Sequence, residues 1–140
     1  MREIKFRAWC KDENTMYYDA QGTYDYMTGV PATSFGDLLN DEDWLVMQYT
    51  GLTDKNGKEI YEGDLLRTPS LEEYDKKNYV VYEVFWHDND CCDNHIGFQI
   101  NRVHFQGNLC GTNLFYPFKP KYTNKMEVIG NIYENKELIK

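Results

Sequence analysis

The stretch from Gln48 to Arg67, QYTGLTDKNGKEIYEGDLLR, constrains this chain more than any other, because two strand-like runs flank a turn of nearly unambiguous chemistry. Asp54-Lys55-Asn56-Gly57 puts a side-chain acceptor at the first position, where it can bond the backbone two residues on. It ends in Asn-Gly, the pair that tolerates positive φ at least cost. Met47 to Leu52 lead in and Lys58 to Glu62 lead out, with Tyr and Ile supplying β propensity, so the spacing predicts an antiparallel hairpin. Gly63-Asp64 then punctuates the outgoing strand before Leu65-Leu66-Arg67 resumes an extended pattern, which predicts a bulge or sharp bend and hence a small, strongly curved sheet. The Asp54/Asn56/Gly57 group superficially resembles a calcium loop. An EF-hand, however, needs its glycine at about the sixth position and a glutamate at about the twelfth, and the plain turn is the better reading.

The remaining segments read as more short strands. Ile4, Phe6 and Ala8 alternate with Lys5 and Arg7, the period of a half-buried strand, and Lys11 to Asn14 form a turn before a second strand at Thr15 to Tyr18. Trp9 sits near that hairpin's tip; a ring packed under the turn is a commoner arrangement than an exposed recognition anchor. Ala20 to Pro31 mixes loop and short extended pieces. One or two helical turns fit around Asp37 to Asn40, followed by a solvated acidic loop at Asp41-Glu42-Asp43. Thr68-Pro69-Ser70 resembles a helix start, with Pro69 breaking strand pairing and Ser70 able to cap. Tyr79 to Trp86 is the strongest strand signal, being rich in β-branched and aromatic residues, and should be central. Ile96 to Phe105 alternates again, with Phe98, Ile100 and Val103 as inward candidates. Pro117 to Pro120 is a break. A last strand runs through Val128 and Ile129, Gly130-Asn131 bends the chain, and a partial helical turn follows with Asn135 as a cap.

Composition sets bounds on this pattern. A chain of 140 residues fits one domain spanning residues 1–140 and can bury a core without staples. Aromatic residues at 16% favour strands, and apolar residues at 41% with charged residues at 27% argue against wholesale disorder. Many short strands point to a mainly β chain, a small barrel or curved meander. A net charge of −8 disfavours direct nucleic-acid binding, which relies on Lys and Arg contacts to phosphate. The compact basic groupings, Lys5 with Arg7 and Lys119 with Lys121, read as solvated faces. No charged leader precedes an apolar run and no apolar stretch approaches about 18 residues, so the expectation is a soluble intracellular protein without membrane association.

One cluster is chemically suggestive, HDNDCCDNH from His87 to His95. His87, Cys91, Cys92 and His95 are zinc-type ligands. Adjacent cysteines in an extended segment point to opposite sides, however, and the paired C-x2-C spacing of closed sites is missing. An acidic loop that contains thiols is the simpler reading. Cys10, Cys91, Cys92 and Cys110 are expected as reduced thiols, since adjacent cysteines suit no regular disulfide framework. No nucleophile with an orienting partner can be named, so we assign no catalytic, cofactor-binding or metal residue and no cofactor from the sequence.

Four stretches met above, IKFRAW (Ile4–Trp9), MQYTGLTDKNGKEIYEGDLL (Met47–Leu66), VYEVFW (Val81–Trp86) and EVIGNIYEN (Glu127–Asn135), together resemble the YopX family of phage and prophage proteins, in order over nearly the whole chain. The resemblance implies a small SH3-like β-barrel with irregular insertions and short helical turns, encoded by a phage or prophage. It carries no established activity and no catalytic residue. Cys10 stands where an acidic residue is expected, and the His87–His95 loop lies in a region taken to be variable, so the resemblance gives a metal there no support. The expected function is a non-enzymatic binding or adaptor module in the host cytoplasm, with a host or phage protein as partner or a second copy in a homo-oligomer. The alternative is a nucleic-acid-linked role, through direct binding by a local basic face or acidic mimicry toward a host DNA-binding protein.

Overall fold

A computed structural model of the chain describes residues 2–22, 34–69, 79–87, 97–106 and 118–139. The chain is mainly β, with antiparallel sheets. It divides into two compact units, Met1–Gly51 and Leu52–Lys140. The expected pieces at 23–33, 70–78, 88–96 and 107–117 lie outside the described residues.

In the first unit β1 (Phe6–Cys10) lies between β2 (Thr15–Tyr18) and β3 (Trp44–Thr53), which begins here and ends in the second unit. Ala8 faces Tyr17 on one side and Val46 on the other. The β1–β2 turn closes through Asn14, whose φ of 50° is a conformation that Asn tolerates better than most residues. The sequence alternation predicts an exposed Arg7 and a packed Ile4, and the structure reverses both. Ile4 precedes the strand and is exposed, whereas Arg7, Ala8, Trp9 and Cys10 are all buried. Because β1 is a middle strand covered on both faces, its period of two sorts residues between two covered sides and not between core and water. Trp9 is accordingly a packed ring.

Helix α1 (Phe35–Asn40) starts two residues earlier than the sequence predicts. The reason is a capping box: the Asp37 amide donates to Ser34 Oγ and the Ser34 amide donates to Asp37 Oδ2, both at 3.1 Å. The box turns Leu38 onto Ala8 and Ala20, whose small side chains leave room for it, while Phe6, Trp44 and Val46 pack around this core. Asp41, Glu42 and Asp43 follow as the exposed loop expected.

The second unit contains the predicted hairpin. The end of β3 and β4 (Glu59–Tyr61) flank the Asp54–Gly57 turn, and Gly57 has the positive φ, 79°, that Asn-Gly foretells. A sheet in the order β7-β6-β5-β8 joins β5 (Asp64–Pro69), β6 (Tyr79–His87), β7 (Gly97–Gln106) and β8 (Glu127–Asn131). Strand β6 is central, as its composition predicts. Pro69 does not break the pairing: it is the last residue of β5, opposite Tyr79. Ile60, Leu66, Val84 and Met126 are at most 2% exposed and form the core, with Leu52, Ile100, Phe118, Tyr122 and Val128 against it. Two register slips bend the sheet. One leaves Val103 of β7 as an extra residue between Val81–His104 and Tyr82–Arg102; the other leaves Ile129 of β8 between the partners of Leu65 and Leu66. Extra residues of this kind increase local twist and produce the curvature that the sequence led us to expect.

The short helix α2 (Pro120–Thr123) stands where the sequence suggests only a break. Pro120 occupies a first-turn position, where its missing N–H costs nothing. No helix among the described residues is long and apolar enough to cross a membrane.

Candidate functional site

The second unit is held by buried polar side chains that bond to backbone, and Asp54 is the foremost. Its Oδ1 accepts from the amides of Asn56 (2.8 Å) and Lys58 (2.9 Å), and its Oδ2 accepts from the amide of Val128 in β8 (2.9 Å). The side chain anticipated as a local turn former therefore also fastens the hairpin to a strand 74 residues away. Burial pushes the Asp54 carboxyl up, but the bonds from Val128, Lys58 and Asn56 and the Lys58 charge outweigh it and hold the group below the usual carboxylate range. The turn itself closes as the plain-turn reading expects, the Gly57 amide donating to the Asp54 carbonyl at 3.0 Å. Reciprocally, the amide of Lys55 donates to the carbonyl of Met126 at 2.9 Å.

Two further fasteners follow the same logic. At the Tyr61–Asp64 turn the amide of Tyr61 donates to the buried Asp64 Oδ2 at 2.8 Å, and Gly63 has a φ of 80°, strained for any residue with a side chain. At the end of β8 the buried Asn131 Oδ1 accepts from the amides of Tyr133 (3.0 Å) and Glu134 (2.9 Å). Asn135 stands at the expected cap position before the turn Lys136–Ile139, its carbonyl accepting from the Leu138 amide at 3.0 Å, but its Oδ1 reaches back to accept from the Asn131 amide at 3.2 Å. That approach requires Gly130, because a Cβ there would sit inside the Asn135 side chain. The 3-10 turn Lys136–Ile139 closes the unit.

The fasteners also assemble a surface. The link between Lys55 and Met126 sets the hairpin tip, with exposed Lys55 and Lys58, beside exposed Lys125. Helix α2 lies one turn further back, since the Met126 amide donates to the carbonyl of Thr123 and the Thr123 amide to that of Lys119, each at 3.0 Å. Lys119 and Lys121, at the start of this helix, are exposed as well, with Lys121 Nζ over the Tyr122 ring at 5.9 Å from its centroid. Among the described residues of these two segments, Glu59 and Glu127 are the carboxylates outside the buried Asp54. Glu127 is already engaged: Arg67 donates to it at 2.8 Å and Lys55 stands 3.4 Å away, and these cations hold its carboxyl below the usual range. A chain of net charge −8 thus carries five exposed lysines on two segments that the Lys55–Met126 bond joins, here called the lysine lip.

The residues singled out in the sequence fall elsewhere. His87 ends β6, partly buried, with its ring edge-on to Phe85 at 6.1 Å between centroids. Cys91, Cys92, His95 and Cys110 lie outside the described residues, while Cys10 is a buried free thiol. No group of three His, Cys, Asp or Glu side chains among the described residues is placed to hold a metal. Arg7 is buried, so Lys5 and Arg7 are no basic face; Lys5 instead stands 3.0 Å from Glu3. Trp86 is exposed at the far end of β6 and packs edge-on against Phe98. Lys119 and Lys121, a basic grouping in the sequence, are exposed as expected of a solvated face, but nothing local joins them to Lys55 and Lys58, some 60 residues away.

These features define a mainly β protein of antiparallel sheets whose characteristic turns are fixed by buried Asp and Asn side chains. The chain belongs to the YopX protein family, whose profile matches residues 5–140. It is similar to a solved structure, the crystal structure of protein EF1440 from Enterococcus faecalis, with 27% sequence identity, a TM-score of 0.56 and coverage of 100% of both chains. No curated protein matches the sequence significantly.

Proposed function

We propose that this protein is a non-enzymatic binding or adaptor module acting in the cytoplasm of a phage- or prophage-bearing host, and that its lysine lip is the surface through which it binds. The observation that carries this reading is the charge of the lip, which is opposite to that of the chain as a whole. The characteristic turn residues are absorbed in holding the hairpin, β8 and the bends between them, so their work is structural and the exposed lysines beside them are what a partner would meet. In this reading the β-rich second unit is an SH3-like barrel, a frame that presents turns and edges to other molecules. The lip also favours the nucleic-acid reading more than the net charge does, since Lys contacts to phosphate depend on the local face.

Affinity capture from bacterial lysate, with wild type and K119E/K121E/K125E compared and each run repeated after nuclease, tests both readings. A protein retained by wild type, lost with the variant and resistant to nuclease supports the binding module. Retention that disappears with nuclease moves the assignment to nucleic acid, and capture unchanged by the variant removes the lip from the account.

A further inference from the structure

A second charged face of opposite sign is built in the first unit by the same means as the lip. The amide of Lys11 donates to the carbonyl of Asp43 at 2.9 Å, and Lys11 Nζ donates to the carbonyl of Glu42. These bonds lay the β1–β2 turn, with exposed Asp12 and Glu13, against the exposed loop Asp41-Glu42-Asp43. Five carboxylates from segments about 30 residues apart share this edge, with Lys11 as the cation among them. Five lysines share the lip of the second unit.

We propose that the lysine lip of one copy docks on the acidic edge of a second copy, so that the chain self-associates head to tail. The proposal rests on the lip being a binding surface and goes further by naming its occupant. Charge complementarity carries it: both faces are exposed, each is assembled by tertiary contacts from two segments, and each carries five groups of one sign. Such a contact is heterologous, lip to edge, and leaves a free edge on one copy and a free lip on the other for the next. It also steers encounter between copies whose net charges repel, at separations within a Debye length of the two faces.

Sedimentation of the full chain across concentration and salt is the test. We expect a mass above the monomer that rises with protein concentration at about 0.1 M salt, where the Debye length is about 10 Å, and falls to the monomer at about 1 M, where it is about 3 Å. Two charge-reversed chains complete it, K119E/K121E/K125E and D12K/E42K/D43K. Among the described residues none of these six side chains is hydrogen-bonded or ion-paired, and the one ring contact is that of Lys121 with Tyr122, so both variants should melt close to wild type. Each alone is expected to be monomeric at all salts, and an equimolar mixture should associate again. A wild type that is monomeric throughout, or a mixture that stays monomeric, overturns the proposal. A monomeric wild type that instead binds a single-stranded oligonucleotide, with a steep salt dependence lost in the lysine variant, assigns the lip to phosphate. A monomeric wild type that still captures a nuclease-resistant protein through the lip leaves the binding module standing and sinks self-association alone.

Discussion

The two units are held together by different chemistry. In the first, Ala8, Ala20 and Leu38 form a small apolar core under a six-residue helix, the Ser34–Asp37 box caps that helix at the surface, and Arg7 is a buried charged side chain of β1. The second has an apolar core as well, but its turns are closed by Asp54, Asp64 and Asn131, which are buried and bonded to backbone amides. A buried amide that loses its partner costs about 1–3 kcal/mol, whereas a lost apolar contact costs in proportion to the volume removed. Damage to a fastener should therefore spread along the backbone it ties. Damage to the first core should stay with the helix.

The largest effect is expected at Asp54. Asp54→Ala removes the acceptor of three amides at once and should destabilise the protein by about 3 kcal/mol or more in urea unfolding. A loss under about 1 kcal/mol would mean that the fasteners are incidental and that the contrast between the units is false. Next comes Leu38→Ala, at about 2–3 kcal/mol, with faster amide exchange expected in α1 and little change around Asp54. Equal acceleration at both places would erase the contrast. Gly130→Ala should cost about 1–3 kcal/mol through collision with Asn135. Adding Asn135→Ala should recover part of that loss, and strictly additive losses would show that the two residues are not in contact. Ser34→Ala removes a surface cap and should cost only about 1 kcal/mol, read as reduced protection of α1.

How much of this was legible in the sequence follows from the same contrast. Local chemistry was readable: Asn-Gly foretold the positive φ of Gly57, Asp54 the bond to the Asn56 amide, and the run from Tyr79 to Trp86 a central strand. What depended on distant partners was not. The second oxygen of Asp54 bonds to Val128, and no local rule could supply that residue. Arg7 was misjudged because alternation reports polarity, whereas exposure is set by what covers each face of β1. Asn135 had the residue type of a cap but bonds backward, as the bend at Gly130 brings the Asn131 amide within its reach. The family was readable from its motifs over nearly the whole chain, and two of the four, Met47–Leu66 and Glu127–Asn135, carry the turn fasteners Asp54, Asp64 and Asn131. Of the lysine lip only the pair Lys119 and Lys121 could be read, because Lys55 and Lys58 join it only once Lys55 meets Met126.

The most direct test of the fastener account is a titration of the Asp54 carboxyl carbon by NMR, with the amides of Asn56, Lys58 and Val128 followed in the same samples. Asp54 is held below its unfolded value, which is about 3.9. Its contribution to stability is therefore complete above that pH and is lost as the pH falls through the folded value. The account predicts a folded-state midpoint below about 3.9, with all three amides shifting at that same midpoint as unfolding begins. A midpoint at or above the ordinary carboxylate value, or a Val128 amide indifferent to it, would contradict the claim that this side chain ties the hairpin to β8.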